Sequence, residues 1–238
     1  TVMFGAHWDA YGRATPKNGD DIYNGAVDNA TGVAGVMEIA RLFAEGPRPE
    51  RSTVFISWAA EETGLLGAEY YAANPVWPLE TTVANINMDS LLPGTEIDPN
   101  IVVIGAGKND LDDRLAVLAA REGRRLIPDP APHAGAFYRS DHFPLARKGV
   151  PMAYLSSTGE FVDAPIEPRL ARAADYRANR YHQAADEWEA DWDYSGMLQD
   201  LDVMFKVGQD LANSRTWPEW KSGSEFGPER AKSAAQRR

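Results

Sequence analysis

Residues 54–58 read Val54-Phe55-Ile56-Ser57-Trp58, a nearly uninterrupted apolar run that is typical of a buried strand. Short β-prone runs of the same kind recur along the chain, at residues 1–6, 83–88, 101–104 and 151–155. Segments with apolar residues at helical spacing lie between them, at 29–46, 65–73, 111–122 and 194–212, with a short helical turn at 144–148. Strands that alternate with helices predict an α/β fold in three α/β/α layers, with a mixed, mostly parallel sheet between the helices.

The composition predicts one large domain. A chain of 238 residues with 44% hydrophobic content can bury a substantial core. We assign residues 1–213 to this domain and residues 214–238 to a polar tail that frays or wraps the surface. Residues 10–27 are polar and rich in glycine, which predicts a loop. Because Thr1 falls inside a predicted strand, we expect that upstream strands and a targeting segment have been trimmed.

Charge and residue usage exclude several classes of function. The formal net charge is −11, and no basic stripe is present to meet a phosphate backbone, so we expect no nucleic-acid partner. The absence of cysteine excludes disulfides and thiolate zinc sites. No apolar run approaches the length of a membrane span.

Acidic residues and histidines follow the ends of the predicted strands. The clusters are His7-Trp8-Asp9, Asp28-Asn29, Glu61-Glu62, Asp89 and His182. Two imidazoles and three carboxylates can bind a pair of divalent ions, and one further carboxylate can transfer a proton. Taken singly, each cluster has an ordinary alternative. His-x-Asp can be a chance loop, Asp28 can be a helix N-cap, and the glutamate pair can lie at a helix start.

Taken in order, the clusters resemble metallopeptidase family 28, which includes dizinc leucine aminopeptidases, glutamate carboxypeptidase-like enzymes and glutaminyl cyclases. The resemblance runs from about Val2 to about Leu211. It rests on segments at 5–9, 24–32, 57–67, 85–89, 140–151 and 181–186. Departures from the family pattern are Trp8 in the first segment, Gln183 in the last, and the long insert from about Tyr11 to Tyr23.

The resemblance implies a role for each residue. His7 and Asp89 would bind one zinc ion, Glu62 and His182 a second, and Asp28 would bridge the two. Other divalent ions remain possible. Glu61 would be the general base, and Asp9 would orient His7. In the family the segment 140–142 lies beside the active-site mouth, so the resemblance implies that Asp141 and His142 support substrate binding. Phe137 and Tyr138 are expected to wall the substrate pocket, although as aromatic residues they could equally belong to the core.

The function implied by the resemblance is a zinc exopeptidase. The first expectation is an aminopeptidase that takes a peptide with a free N-terminus. A glutaminyl cyclase and a non-catalytic binding module on the same scaffold stay open. So does a carboxypeptidase, in which Arg139 or Arg147 would hold the substrate carboxylate. Because members of the family are frequently exported, we expect a periplasmic or extracellular location.

Overall fold

The computed structural model describes residues 1–17, 19–94, 99–129, 131–156 and 167–237. Within these residues the strands are β1 (Val2–His7), β2 (Gly12–Lys17), β3 (Asp20–Tyr23), β4 (Thr53–Trp58), β5 (Ala84–Asn87), β6 (Asn100–Val103), β7 (Arg125–Pro128) and β8 (Met152–Ser156). The helices are α1 (Thr31–Glu45), α2 (Leu66–Ala73), α3 (Leu111–Arg121), α4 (His142–Arg147), α5 (Glu167–Asn179), α6 (Ser195–Asn213) and α7 (Gly227–Ala231). Over the same residues, no helix combines the length and the apolar composition needed to cross a bilayer.

The main sheet has six strands in the described part of the chain, in the order β4-β1-β5-β8-β6-β7. Neighbouring strands are parallel except for the antiparallel pair β6 and β8. The predicted mixed, mostly parallel α/β fold is therefore confirmed. In the register of the sheet, His7 at the end of β1 lies opposite Trp58 at the end of β4. Because β5 is also parallel to β1, the residues that follow all three strands meet at one edge.

Helices pack against both faces of the sheet. Because successive side chains of a strand point to opposite faces, one strand contributes residues to two cores. Phe4 in β1 belongs to the larger core, together with buried residues of α1, α3 and α6. Its ring stacks on Phe55 with 5.3 Å between the ring centroids. Met3 points to the other face and packs in a core with residues of α2 and α4. The strands that carry the edge residues are therefore packed on both faces.

Residues 10–27 are not the uniform loop that the sequence predicts. The strands β2 and β3 form an antiparallel hairpin in which Gly12 pairs with Tyr23. The guanidinium group of Arg13 donates to Asp21 at 2.6 Å across this hairpin. Most side chains of the hairpin are exposed or half-buried. The hairpin therefore carries no apolar alternation, which is the sequence signal of a half-buried strand. Strand β7, which has only four residues, and helix α5 are not predicted from the sequence.

The C-terminal segment after α6 packs on the sheet rather than fraying. Trp220 and Phe226 are buried in a core with residues of β6, β8 and α4. The indole N–H of Trp220 donates to the backbone oxygen of Gly149 at 2.9 Å. Arg230 is 2% exposed and donates to the backbone oxygen of Thr82 at 2.8 Å. This segment therefore contributes to the same folded unit as residues 1–213.

Candidate active site

The predicted site residues come together at the carboxyl edge of the sheet. His7 ends β1, the Glu61-Glu62 pair lies in the turns after β4, and Asp89 follows β5. His182 lies in a turn after α5 and has a φ of 56°. Asp28 lies in the turn Ala26–Ala30, directly before α1. Side chains that are up to 175 positions apart in the sequence thus share one acidic cluster.

Asp28 stands between the two histidines. One oxygen of its carboxylate, Oδ1, lies 3.2 Å from Nε2 of His7. The other oxygen, Oδ2, lies 3.2 Å from Nε2 of His182. Asp28 is only 5% exposed, so its carboxylate faces the two imidazoles rather than bulk water. This is the arrangement expected of a carboxylate that is shared by two neighbouring metal sites, each of which contains one of the histidines.

The turn that carries Asp28 is held by Asp186. The carboxylate of Asp186 accepts hydrogen bonds from the backbone N–H groups of Val27 at 2.9 Å and of Asp28 at 3.0 Å. Gly25 begins the turn with a φ of 61°, a left-handed conformation that glycine adopts without steric cost. The aspartate of the Tyr-His-x-x-x-Asp segment therefore positions the backbone of a residue that lies far from it in the sequence.

Asp28 does not cap helix α1. The residue before the helix is Ala30, and it makes no side-chain capping bond. Asn29 instead accepts the N–H of Gly32 at 3.0 Å and the N–H of Ser90 at 3.1 Å through its side-chain oxygen. A Cβ at position 32 would lie 2.1 Å from this oxygen, so the close approach requires glycine. Asn29 takes the structural role, and Asp28 stays free to face the histidines.

Asp9 positions the Glu61-Glu62 pair. Its carboxylate accepts the backbone N–H of Glu61 at 3.1 Å and that of Glu62 at 3.3 Å. The resemblance implies that this carboxylate orients His7, but its Oδ1 is 4.0 Å from Nδ1 of His7. The backbone oxygen of Asp9 lies closer, at 3.1 Å from Nδ1. Because a carbonyl oxygen only accepts, Nδ1 carries a proton and donates it, and Nε2 is the nitrogen that would bind a cation once its own proton has left.

Asp89 is held by a short chain of hydrogen bonds. The hydroxyl of Ser140 donates to Oδ2 of Asp89 at 2.7 Å, and the side-chain amide of Asn87 donates to Ser140 at 2.8 Å. The other oxygen, Oδ1, lies 3.6 Å from Nε2 of His7. Such bonds fix the orientation of a ligand and tune its basicity. Oδ1 of Asp89 and Nε2 of His7 therefore face the same position in the site.

Two groups of side chains in the described residues have the donor atoms and spacing to hold a metal ion. Their members are His7, Asp28 and Asp89 in the first group, and Asp28, Glu62 and His182 in the second. Within each group the donor atoms lie within 4.8 Å of one another. Imidazole nitrogens combined with carboxylate oxygens suit zinc, and no thiol is needed. The donor set therefore fits the cofactor that the sequence predicts.

The pKa values in the metal-free chain reflect this crowding of charges. Burial lowers the pKa of His7, but hydrogen bonds and charge interactions with Asp28 and Asp89 outweigh burial and raise it well above its usual range. Burial raises the pKa of Asp28, and the two histidines outweigh that effect and lower it to about 2. Burial, followed by the charge of Asp89, raises the pKa of Glu61 to about 9. A bound cation would relieve the repulsion between these carboxylates.

Of the four expected substrate-binding residues, only Tyr138 lines the cavity above the cluster. Phe137 is 5% exposed, and its ring stacks on Phe226 with 5.7 Å between the centroids. Asp141 is 1% exposed, and burial raises its pKa to about 8. His142 is fully buried, and burial lowers its pKa to about 4. None of these three residues lines this cavity.

The cavity has a volume of about 420 Å³. This volume lies in the range of sites for small molecules and short peptide ends. Besides the cluster and Tyr138, its wall includes Tyr11, Arg139, Tyr154 and Tyr181. The sequence analysis assigns no role to Tyr11 or Tyr154. The cavity position of Tyr154 could have been predicted, because this residue lies on an inner strand of the sheet. Tyr11 lies in an insert without any regular pattern, so its position could not.

Comparison with known proteins identifies the family. A profile of Peptidase family M28 matches residues 1–205, and the chain belongs to this family. The predicted family is confirmed. Aminopeptidase NAALADL1 of Mus musculus is 38% identical over 94 residues, which cover 37% of this chain and 11% of that protein.

Two solved structures have the same fold. The LapA aminopeptidase of Legionella pneumophila has a TM-score of 0.66 and 22% identity, over 90% of this chain and 50% of that chain. The zinc aminopeptidase BSAP of Bacillus subtilis has a TM-score of 0.62 and 20% identity, over 95% of this chain and 48% of that chain. The chain thus spans about half the length of these two proteins.

Proposed function

We propose that this chain carries the catalytic site of a two-zinc aminopeptidase, which hydrolyses the first peptide bond of a substrate with a free N-terminus. The observation that carries the proposal is the position of Asp28, whose two carboxylate oxygens each lie 3.2 Å from a different histidine nitrogen. A carboxylate that faces two ligand groups in this way suits the bridge of a two-metal site.

Each ligand group would hold one zinc ion. His7 and Asp89 would complete the first site and Glu62 and His182 the second, with Asp28 shared. Bound zinc supplies Lewis acidity, which polarises a carbonyl group and lowers the pKa of water toward about 7. The hydrogen bonds from Ser140 to Asp89 and from His7 to Asp9 support these ligands before any cation binds.

Glu61 is the residue suited to proton transfer. Its side chain lines the cavity and belongs to neither ligand group, so its carboxylate remains free to accept a proton. The bond between its backbone N–H and Asp9 fixes the turn that presents it. Glu61 would take the proton of the attacking water molecule and deliver it to the nitrogen of the leaving amine.

The acidic cavity suits a substrate with a positive end. Glu61, Glu62 and Asp89 all line it, so a free α-amino group would find carboxylates within the site. Binding of that amino group next to the reacting centre would restrict cleavage to the first peptide bond. Blocking the amino group should therefore abolish turnover, whereas blocking the far carboxylate should not.

The test uses amino-acid anilides, N-acetylated anilides and C-terminally amidated peptides, each with the zinc-loaded chain and with the chelated chain. We expect hydrolysis of free anilides and amidated peptides, no hydrolysis of acetylated ones, and loss of activity on chelation that added zinc restores. Turnover that survives complete removal of zinc contradicts the proposal.

A carboxypeptidase is the second candidate, because Arg139 lines the cavity and could hold a substrate carboxylate. Arg147, the other candidate for that role, instead pairs with Glu69 on helix α2. Hydrolysis of acetylated peptides together with failure on amidated ones would favour this function. Cyclisation of a peptide with an N-terminal glutamine, with one zinc ion per chain, would favour a glutaminyl cyclase. A purified chain that binds no metal would favour a non-catalytic module.

A further inference from the structure

The hairpin formed by β2 and β3 brings a tyrosine to the edge of the second ligand group. Tyr11 directly precedes β2, and its ring packs edge-on against Tyr23, the last residue of β3, with 6.1 Å between the centroids. Its hydroxyl lies 3.1 Å from Nδ1 of His182. Tyr11, Glu62 and His182 line one small cavity. The phenol therefore contacts His182 and stands beside Glu62, the two residues that complete the second group.

The direction of these hydrogen bonds follows from the chemistry of the ligands. Nε2 of His182 faces Asp28 at 3.2 Å and Glu62 at 3.5 Å, so this is the nitrogen that would bind a cation. A neutral imidazole then carries its proton on Nδ1 and donates it to the Tyr11 oxygen. The Tyr11 oxygen is therefore the acceptor in this contact, and His182 is the donor.

Stacking alone would not select this arrangement. The ring of Tyr181 lies on the imidazole of His182 with 3.7 Å between the centroids, which fixes the plane of the ring. It does not determine which nitrogen faces the carboxylates, because a rotated ring would stack equally well. The side chain of His182 is 30% exposed, so water competes for Nδ1. A fixed partner at Nδ1 removes this freedom.

We propose that Tyr11 is a positioning residue for the second zinc site, where its hydroxyl group orients the imidazole of His182. The inference rests on the proposed two-zinc site and adds to it a role for the insert. In the first ligand group the partner of the histidine is a backbone group instead of a side chain, because Nδ1 of His7 donates to the backbone oxygen of Asp9. The two zinc affinities should therefore depend on different residues, and Tyr11 should affect only one of them.

The test compares zinc binding by the wild-type chain, Tyr11→Phe and the matched control Tyr23→Phe. Each metal-free chain is titrated with zinc against a competing chromophoric chelator, which requires no turnover. In Tyr11→Phe we expect one of the two affinities to fall about tenfold, at the low end of the range for such partners because water can replace the hydroxyl. The other affinity, and both affinities of Tyr23→Phe, should stay within twofold of wild type.

Two further readouts separate orientation from general loss of structure. In the zinc-loaded protein labelled with ¹⁵N-histidine, the Nδ1–H resonance of His182 should be visible in wild type and Tyr23→Phe and lost to exchange in Tyr11→Phe. Excess zinc should restore most of the kcat of Tyr11→Phe. Unchanged affinities in Tyr11→Phe, or an equal loss in Tyr23→Phe, overturn the inference. A wild-type chain that binds fewer than two zinc ions contradicts the two-zinc proposal itself, which is a distinguishable failure.

Discussion

Glu61→Gln keeps the size of a side chain in the cavity wall but removes its ability to accept a proton. Two neighbouring carboxylates cannot replace it, because Asp9 is engaged with two backbone N–H groups and Asp141 is 1% exposed. We therefore expect kcat to fall about 10³-fold, which corresponds to about 4 kcal/mol in the activation barrier. Zinc content should not change, because Glu61 belongs to neither ligand group.

The same substitution should stabilise the metal-free chain. Burial, followed by the charge of Asp89, raises the pKa of Glu61 from 4.5 to about 9. At pH 7 the folded state holds a proton that the unfolded state has lost, which costs the wild type up to about 3 kcal/mol. The amide has no such cost. The difference between variant and wild type should be absent below about pH 4.5, where both states are protonated, and should grow as the pH rises toward 9.

Three measurements on one preparation test this reasoning: kcat on an amino-acid anilide, zinc per chain by elemental analysis, and urea unfolding of the chelated protein at pH 4, 7 and 9. Glu62→Gln is the matched control. It removes a member of the second ligand group, so it should lower the zinc content as well as kcat. A Glu61→Gln chain with unchanged kcat, with lost zinc, or with lower metal-free stability at pH 7 would refute the assignment.

Further predictions concern the ligands and the C-terminal segment. Ser140→Ala removes the 2.7 Å hydrogen bond to Asp89 and should weaken one zinc affinity about tenfold in a chelator competition, whereas an unchanged affinity would show that this bond does not support the ligand. Zinc affinity should fall about tenfold per pH unit between pH 8 and 6, because the pKa of His7 is raised and its proton must leave before zinc binds. Zinc affinities measured by calorimetry that do not vary with pH would contradict this prediction. Trp220→Ala should lower the free energy of unfolding in urea by about 3 kcal/mol without changing the zinc content, because the indole is buried against β6, β8 and α4; a loss below about 1 kcal/mol would mean that the segment contributes little to the fold.

The sequence predicts the sheet and the ligand cluster for one physical reason. Parallel strands that are buried on both faces are nearly uninterrupted apolar runs, and their carboxyl ends meet at one edge. His7 and Asp89 are thus placed together by the register of β1 and β5, although 82 positions separate them. The position of Asp28 is harder to derive, because it depends on hydrogen bonds that the backbone N–H groups of a turn donate to Asp186.

Features without apolar periodicity are not predictable in this way. The hairpin exposes most of its side chains, so its pairing depends on backbone hydrogen bonds that leave no trace in the composition. The C-terminal segment is rich in charge, but single buried residues such as Trp220 and Arg230 attach it to the fold. Phe137 and Tyr138 are adjacent aromatics, and nothing in the sequence indicates that the first is buried and the second faces the cavity.

The most direct test of the two-zinc site is an anomalous difference map, measured at the zinc absorption edge on crystals of the zinc-loaded chain. We expect two peaks about 3.5–4 Å apart, one on each side of the Asp28 carboxylate and each beside one histidine. A single peak, or peaks that do not contact Asp28, would contradict it.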